Sequence, residues 1–417
     1  MKHIPKGLAR TRLACYMGYF TNASVCCVPP LLFVTFHECY GISYTLLGTL
    51  IAVNFFTQLL VDLLCTALSK RYRVERALPF VPLLLSLGLA LYGLLPLILP
   101  RAAYLGLTVG TLIFSVAAGL CEVLLSPTVA AIPSNNPGRD MSILHSLFGF
   151  GVVAAVLIST LVLHFLGRER WHILMLILAA LPLIPTVLFF TSPIPKMEPS
   201  APPSEAKEGG RRRRLALALC VGCIFFGSCA ENTMSNWLSS YMENALGIEK
   251  AVGDILGAAG FALLLALVRI LYARFGKDVR PVLLVGMIGC FFCYLVGGLA
   301  SGAVLPMIAC ILVGIFSSML WPGTLILMEE NVKAPGVAAF ALLAAAGDLG
   351  AAAAPQLMGI LIDAVARSPF AQSLCAQLSA TPEQIGLRAA MLSTAVYPLI
   401  GAVLVLIAYR FFKKKSN

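Results

Sequence analysis

Residues 103–131 read AYLGLTVGTLIFSVAAGLCEVLLSPTVAA, a run with a single charged side chain, Glu122. At about 1.5 Å of rise per residue such a helix covers the roughly 30 Å hydrocarbon core of a bilayer. A surface helix of a soluble domain would carry charged side chains along its outer face, and this run has one charge in 29 residues. Comparable runs recur from end to end, predicting spans at 13–36, 44–68, 78–99, 103–131, 141–166, 171–191, 215–241, 251–275, 281–301, 304–328, 335–363 and 388–411. Barrel strands would give alternating segments of about ten residues instead. The expectation is an all-α membrane protein with twelve transmembrane helices in two pseudo-symmetric six-helix bundles.

Composition agrees: 59% hydrophobic against 12% charged residues leaves a soluble protein of 417 residues without a polar surface. The first apolar run follows Lys2, Lys6, Arg10 and Arg12 and passes Asn22 and Pro29-Pro30 to Phe36 without a small-residue cleavage site, so it reads as a retained helix. With the N-terminus inside, 23 of the 30 Lys/Arg fall in cytoplasmic segments and six in exterior ones, Arg269 lying within a helix. That asymmetry predicts an inner-membrane protein with both termini cytoplasmic. It also accounts for the net charge of +11 without nucleic acid, since Arg211–Arg214 and Lys413–Lys415 would lie against anionic lipid.

The polar stretch from Pro193 to Arg214 divides the chain into an N-terminal bundle, 1–192, a cytoplasmic linker, 193–214, and a C-terminal bundle, 215–417. The loops around Arg71 and Arg274 fall at matching places in the two halves. Cys220/Cys223 and Cys290/Cys293 have C-x-x-C spacing but no second ligand pair, so no metal or other cofactor is expected. No H-E-x-x-H or G-x-S-x-G motif suggests an enzyme.

An ionisable group at membrane depth costs at least about 2.5–3.5 kcal/mol, so the few present carry the functional reading. Glu122, before Ser126-Pro127, has no basic residue within one turn and suits proton exchange; a permanently protonated structural acid is the competing reading. Asp348, in Ala344–Gly350, is either a second cavity acid or a structural hydrogen-bond partner. Asn54, Gln58 and Asp62 share one helical face, with Asp62 toward the cytoplasmic end as a gate or anchor. Glu231, Asn232 and Trp237 form a polar and aromatic group suited to a hydroxylated solute. Asn22, His145 and Trp321 complete the expected solute-facing set, while Arg269, Arg71 and Arg274 are read as gating or structural cations.

The stretches Gly119–Pro127 and Leu144–Gly151, with Gly18–Asn22 and Cys229–Glu231, are similar to those of the major facilitator superfamily and, within it, the fucose permease type. The resemblance implies proton coupling at Glu122 and sugar contact at His145. It departs where the family's helix-one acid falls on Val25 and its helix-five asparagine on Phe148, and the loop after helix two lacks the superfamily's glycine-aspartate pattern. The expected activity is proton-coupled import of a sugar or polyol by alternating access, by a monomer whose partners are solute, protons and the bilayer. A metabolite or drug exporter of the same fold is the alternative, and a non-transporting sensor a further one.

Overall fold

The computed structural model describes residues 6–68, 74–134, 137–195, 210–276, 278–332, 336–378 and 380–413, among which every regular element is helical. Among the described residues eleven helical stretches are long and apolar enough to cross a membrane, or twelve when the bent pair at the N-terminal end is taken as one span. Two compact units are formed, Met1–Ile42 with Val53–Ser200, and Ser43–Ala52 with Ala201–Asn417. Most of the expected linker, residues 196–209, lies outside the described residues, as does Arg71.

The first unit contains α1 (Lys6–Leu31), α2 (Phe33–Tyr40), most of α3 (Tyr44–Leu68), α4 (Phe80–Ile98), α5 (Ala103–Ala131), α6 (Pro137–Leu166), α7 (Trp171–Ala180) and α8 (Leu183–Phe190). Helices α4 and α5 touch backbone to backbone because glycines face each other's partners. Gly88 meets the Phe114 main chain and Gly110 the Tyr92 main chain, with no room for a Cβ at either place. Trp171 closes one end of the core, its ring 4.9 Å from that of Phe36. Large apolar side chains such as Leu60, Leu64 and Phe165 point outward, as an oil-facing surface requires.

The second unit contains α9 (Arg211–Ser240), a π-helical turn Tyr241–Ala245, α10 (Lys250–Val252), a π-helical segment Gly253–Ala259, α11 (Gly260–Phe275), α12 (Val279–Leu299), α13 (Val304–Ser317), α14 (Leu320–Asn331), α15 (Gly336–Ala366), α16 (Pro369–Leu378), α17 (Pro382–Thr394) and α18 (Val396–Lys413). Free thiols are mostly enclosed; of the described cysteines Cys39 alone is exposed, with Cys27 and Cys375 half-buried.

Four expected spans are interrupted, and in three of them a proline four residues on removes the donor for a carbonyl at the break. Span 13–36 is two helices bent by 46° after Pro29-Pro30. Spans 171–191, 304–328 and 388–411 break at Leu181-Pro182, at Ser318-Met319 and at Ala395. A proline has no N–H for the carbonyl four residues back, so Pro322 frees the Ser318 carbonyl and Pro398 that of Thr394. The last span also starts earlier than expected, at Pro382, because Thr381 and Gln384 form a reciprocal capping box.

Candidate functional site

In the first unit a polar belt runs inside the oil-facing shell. Asn54 and Gln58 of α3 are buried and Asp62 half-buried, while Leu60, Leu63 and Leu64 on the other side of the helix are exposed. Asn54 Oδ1 accepts from Gln58 Nε2 at 2.9 Å and from Ser115 Oγ of α5 at 2.7 Å. At about 100° per residue Thr108, Thr111, Ser115, Glu122 and Ser126 fall within roughly one sixth of the α5 circumference. The exposed Leu105 and Leu112 lie about a quarter turn away. Glu122 is exposed on that polar stripe, one turn beyond the contact of Gly119 with Val61 and Gln58. Asn22 of α1 is buried, and neither its Oδ1 nor the buried Thr111 Oγ1 has a hydrogen-bond partner among the described residues. His145 is exposed and stands edge-on to buried Tyr19, ring centroids 5.4 Å apart.

In the second unit the break at Pro322 shapes the site. The freed Ser318 carbonyl accepts from Arg269 Nε at 2.9 Å, and Arg269 Nη2 donates to Glu231 Oε1 at 3.2 Å. The guanidinium, 40% exposed, is therefore fixed between a broken helix and a carboxylate 18% exposed. Ser228 Oγ donates to the Gly347 carbonyl at 2.6 Å and accepts from Asn232 Nδ2 at 3.1 Å. The Trp321 ring covers Gly347, and the next residue, Asp348, is half-buried. Serine 228, Asn232, Trp321, Gly347 and Asp348 thus gather where α9, α14 and α15 meet, with Glu231 and Arg269 alongside.

The profile of the Major Facilitator Superfamily matches residues 13–355. The chain belongs to that superfamily. Solved structures of the same fold include a bacterial homolog of the human lysosomal transporter Spinster in an inward-facing, occupied conformation, at 16% identity, 99% coverage of both chains and TM-score 0.77. The nucleoside transporter NupG matches at 14% identity, covering 96% of this chain and 99% of its own, TM-score 0.70. The xylose transporter XylE from E. coli matches at 13% identity, covering 97% and 96%, TM-score 0.72. No curated protein matches the chain. As a superfamily member this is a multi-pass membrane transporter and not an enzyme.

Within this facilitator fold several side chains have settled partners. Trp237 is fully enclosed and its single N–H goes to the Pro355 carbonyl at 3.0 Å, so the indole supplies packing and has no donor left for a solute. Arg274 is exposed at the end of α11, over the Phe275 ring. Two contacts escaped sequence reasoning because they join residues far apart in the chain. Arg12 Nη1 pairs with Asp140 Oδ2 at 2.9 Å, and Tyr16 donates to the Asp140 carbonyl. Burial raises the Asp140 carboxyl, but hydrogen bonds from Ser134 and Arg12 outweigh it and hold the group below the usual carboxylate range. Asp363 of α15 caps α3, its Oδ2 accepting from Thr45 N at 2.7 Å and its Oδ1 from Tyr44 N at 3.3 Å. Among the described residues no three of His, Cys, Asp or Glu come together as a metal site.

Proposed function

We propose that this chain is a proton-coupled importer of a small polar solute, a sugar or polyol of the kind taken by fucose permeases, working as a monomer by alternating access in the inner membrane with both termini cytoplasmic. One observation carries the coupling role: Glu122 stands on a polar stripe of α5, apart from that helix's exposed leucines and in line with the Asn54–Ser115 bond. A carboxyl so placed is within reach of water and suits exchange of a proton with it. Buried oxygens of Asn22 and Thr111 add hydrogen-bonding capacity that the described protein groups leave unused. On the second unit Asn232, Glu231 and Asp348 supply amide and carboxylate groups beside the Trp321 ring, a combination that fits a sugar's hydroxyl edge and apolar face. Arg269 orients Glu231 and thereby belongs to the wall. A proton–xylose symporter of this fold, at 14% identity and TM-score 0.71, supports coupling of this kind.

The test is uptake into proteoliposomes under an imposed pH gradient with a panel of sugars and polyols. Wild type accumulates its solute above the outside concentration, whereas Glu122→Gln equilibrates it and retains exchange. Undiminished accumulation by the variant rejects the role of Glu122, and efflux driven by inward proton flow rejects import.

A further inference from the structure

One end of the second unit collects arginines from two helices that are far apart in sequence. Helices α9 and α18 run antiparallel: Gly222 faces Leu404 and Gly401 faces Phe226, while nearer the end Arg212 lies over Phe411, its Cζ 5.5 Å from the ring centroid. The start of α9 and the end of α18 are therefore level. Arg211, Arg212 and Arg214 on α9 and Arg410 on α18 are all exposed. None of these four pairs with a carboxylate among the described residues, and the first turn of α9 contains no acid. Arg280, over the Tyr409 ring on another side of α18, is held by both oxygens of Asp278, so that carboxylate is already matched.

The surface next to these charges has the same layout on both helices. Arg211 and Arg214 share one face of α9 with the exposed Leu215 and Ala218, at i, i+3, i+4 and i+7. On α18 the exposed Val403, Leu406 and Ile407 lead at the same spacing to Arg410. Arg212, turned toward α18, sits between the two faces. A cationic end on an oil-facing stripe matches an amphiphile with an anionic head and an apolar tail. A small free anion would use the arginines alone. Guanidinium groups suit such a head because their forked donors fit two phosphate oxygens at once. Four neighbouring cations also repel one another, and an anion among them relieves that repulsion.

We propose that Arg211, Arg212, Arg214 and Arg410 form a binding site for the phosphate head of an anionic phospholipid, whose acyl chains lie along the Leu215–Ala218 and Val403–Ile407 stripes. Each basic run by itself attracts lipid of this charge; the fold joins the two into one site. A zwitterionic lipid brings its own cation beside the phosphate and fills the site poorly. The bound lipid ties α9 to α18. The site is independent of the solute carried and of the direction of transport, since none of its residues belongs to the solute-facing set.

Native mass spectrometry of the full-length protein, released from detergent after incubation with phosphatidylglycerol or phosphatidylcholine, counts the lipids retained. Wild type should keep phosphatidylglycerol and shed phosphatidylcholine. At roughly five-fold in affinity per basic side chain at a membrane surface, combining Arg211→Gln, Arg214→Gln and Arg410→Gln should weaken phosphatidylglycerol on the order of 100-fold. Combining Arg101→Gln, Arg170→Gln and Arg367→Gln, which removes as many exposed charges elsewhere, should leave its retention unchanged. Equal retention of the two lipids by wild type overturns the proposal, as does full retention by the first variant or equal loss from both variants. Melting temperatures separate a lipid from a free anion: phosphatidylglycerol should stabilise wild type, and an equal rise with inorganic phosphate overturns the lipid assignment. On the unaltered protein a photoreactive phosphatidylglycerol should label peptides that contain Leu215 or Leu406; label confined to other peptides also overturns it.

Discussion

At the scale of single residues the Arg269–Glu231 pair is the clearest case of a charge tamed within an apolar wall. Because the guanidinium is 40% exposed, its pairing is worth no more than about 1 kcal/mol, and the backbone bond to Ser318 does as much to hold it. A double-mutant cycle with Arg269→Gln and Glu231→Gln should return a coupling of about 0.5–1 kcal/mol in detergent melts, with the single Arg269 change also weakening solute binding. Asp140 supplies a pH test. Its carboxyl is lowered in the folded protein, so the stabilisation it contributes is complete above the unfolded value of about 3.9 and is lost as pH falls through the lower folded value. Melting temperatures of wild type and Asp140→Asn should therefore differ at neutral pH and converge in strong acid. A constant difference down to the lowest tolerated pH would show that the Arg12 contact matters through shape and not charge.

At the scale of helices, breaks made by proline have consequences that reach beyond the kink. Replacing Pro322 with alanine offers the Ser318 carbonyl an in-helix donor and so competes with Arg269 for it. Chemical modification of Arg269 by an arginine reagent should then run faster than in wild type. Helix contacts through glycine are as sensitive: Gly110→Val pushes a side chain into the Tyr92 backbone and should cost roughly 1–3 kcal/mol, read as a lower melting temperature. The helix 103–131 matches its expected bounds even though Pro127 within it removes the donor for the Val123 carbonyl. Other bounds needed information that hydropathy does not hold. A proline at 182 or 322 leaves the apolar run intact while interrupting the hydrogen bonds, and the π-helical turns at 241–245 and 253–259 have no periodicity of their own. The cap at Thr381 was available in the sequence as T-x-x-Q, yet it sits in a polar segment that an apolar count passes over.

At the scale of the whole molecule, the superfamily was readable because length, apolar runs and the motif around Glu122 constrain it jointly, and the profile match over 13–355 rests on most of the chain. The lining of a transport path is harder to read, since it depends on which polar residue meets which. Asn54 and Ser115 are bonded across two helices, and Glu231 with Arg269 across another pair; no spacing along the sequence announces either. Lys250 illustrates the same limit: a loop-edge lysine in sequence becomes an enclosed ion in space, beside Asp254. The orientation expected from the basic residues is directly testable. A green fluorescent protein fused after Asn417 should fluoresce, while alkaline phosphatase at the same place should be inactive; the reverse pair would place the C-terminus outside.

The distribution of thiols has a practical corollary. Sulfur enclosed in apolar surroundings is a poor nucleophile, so a brief exposure to maleimide dye should tag Cys39 well ahead of the enclosed sites. That gives the natural protein a ready-made reporter position at the end of α2, and spectroscopists can follow its turnover there without first rebuilding the chain cysteine by cysteine.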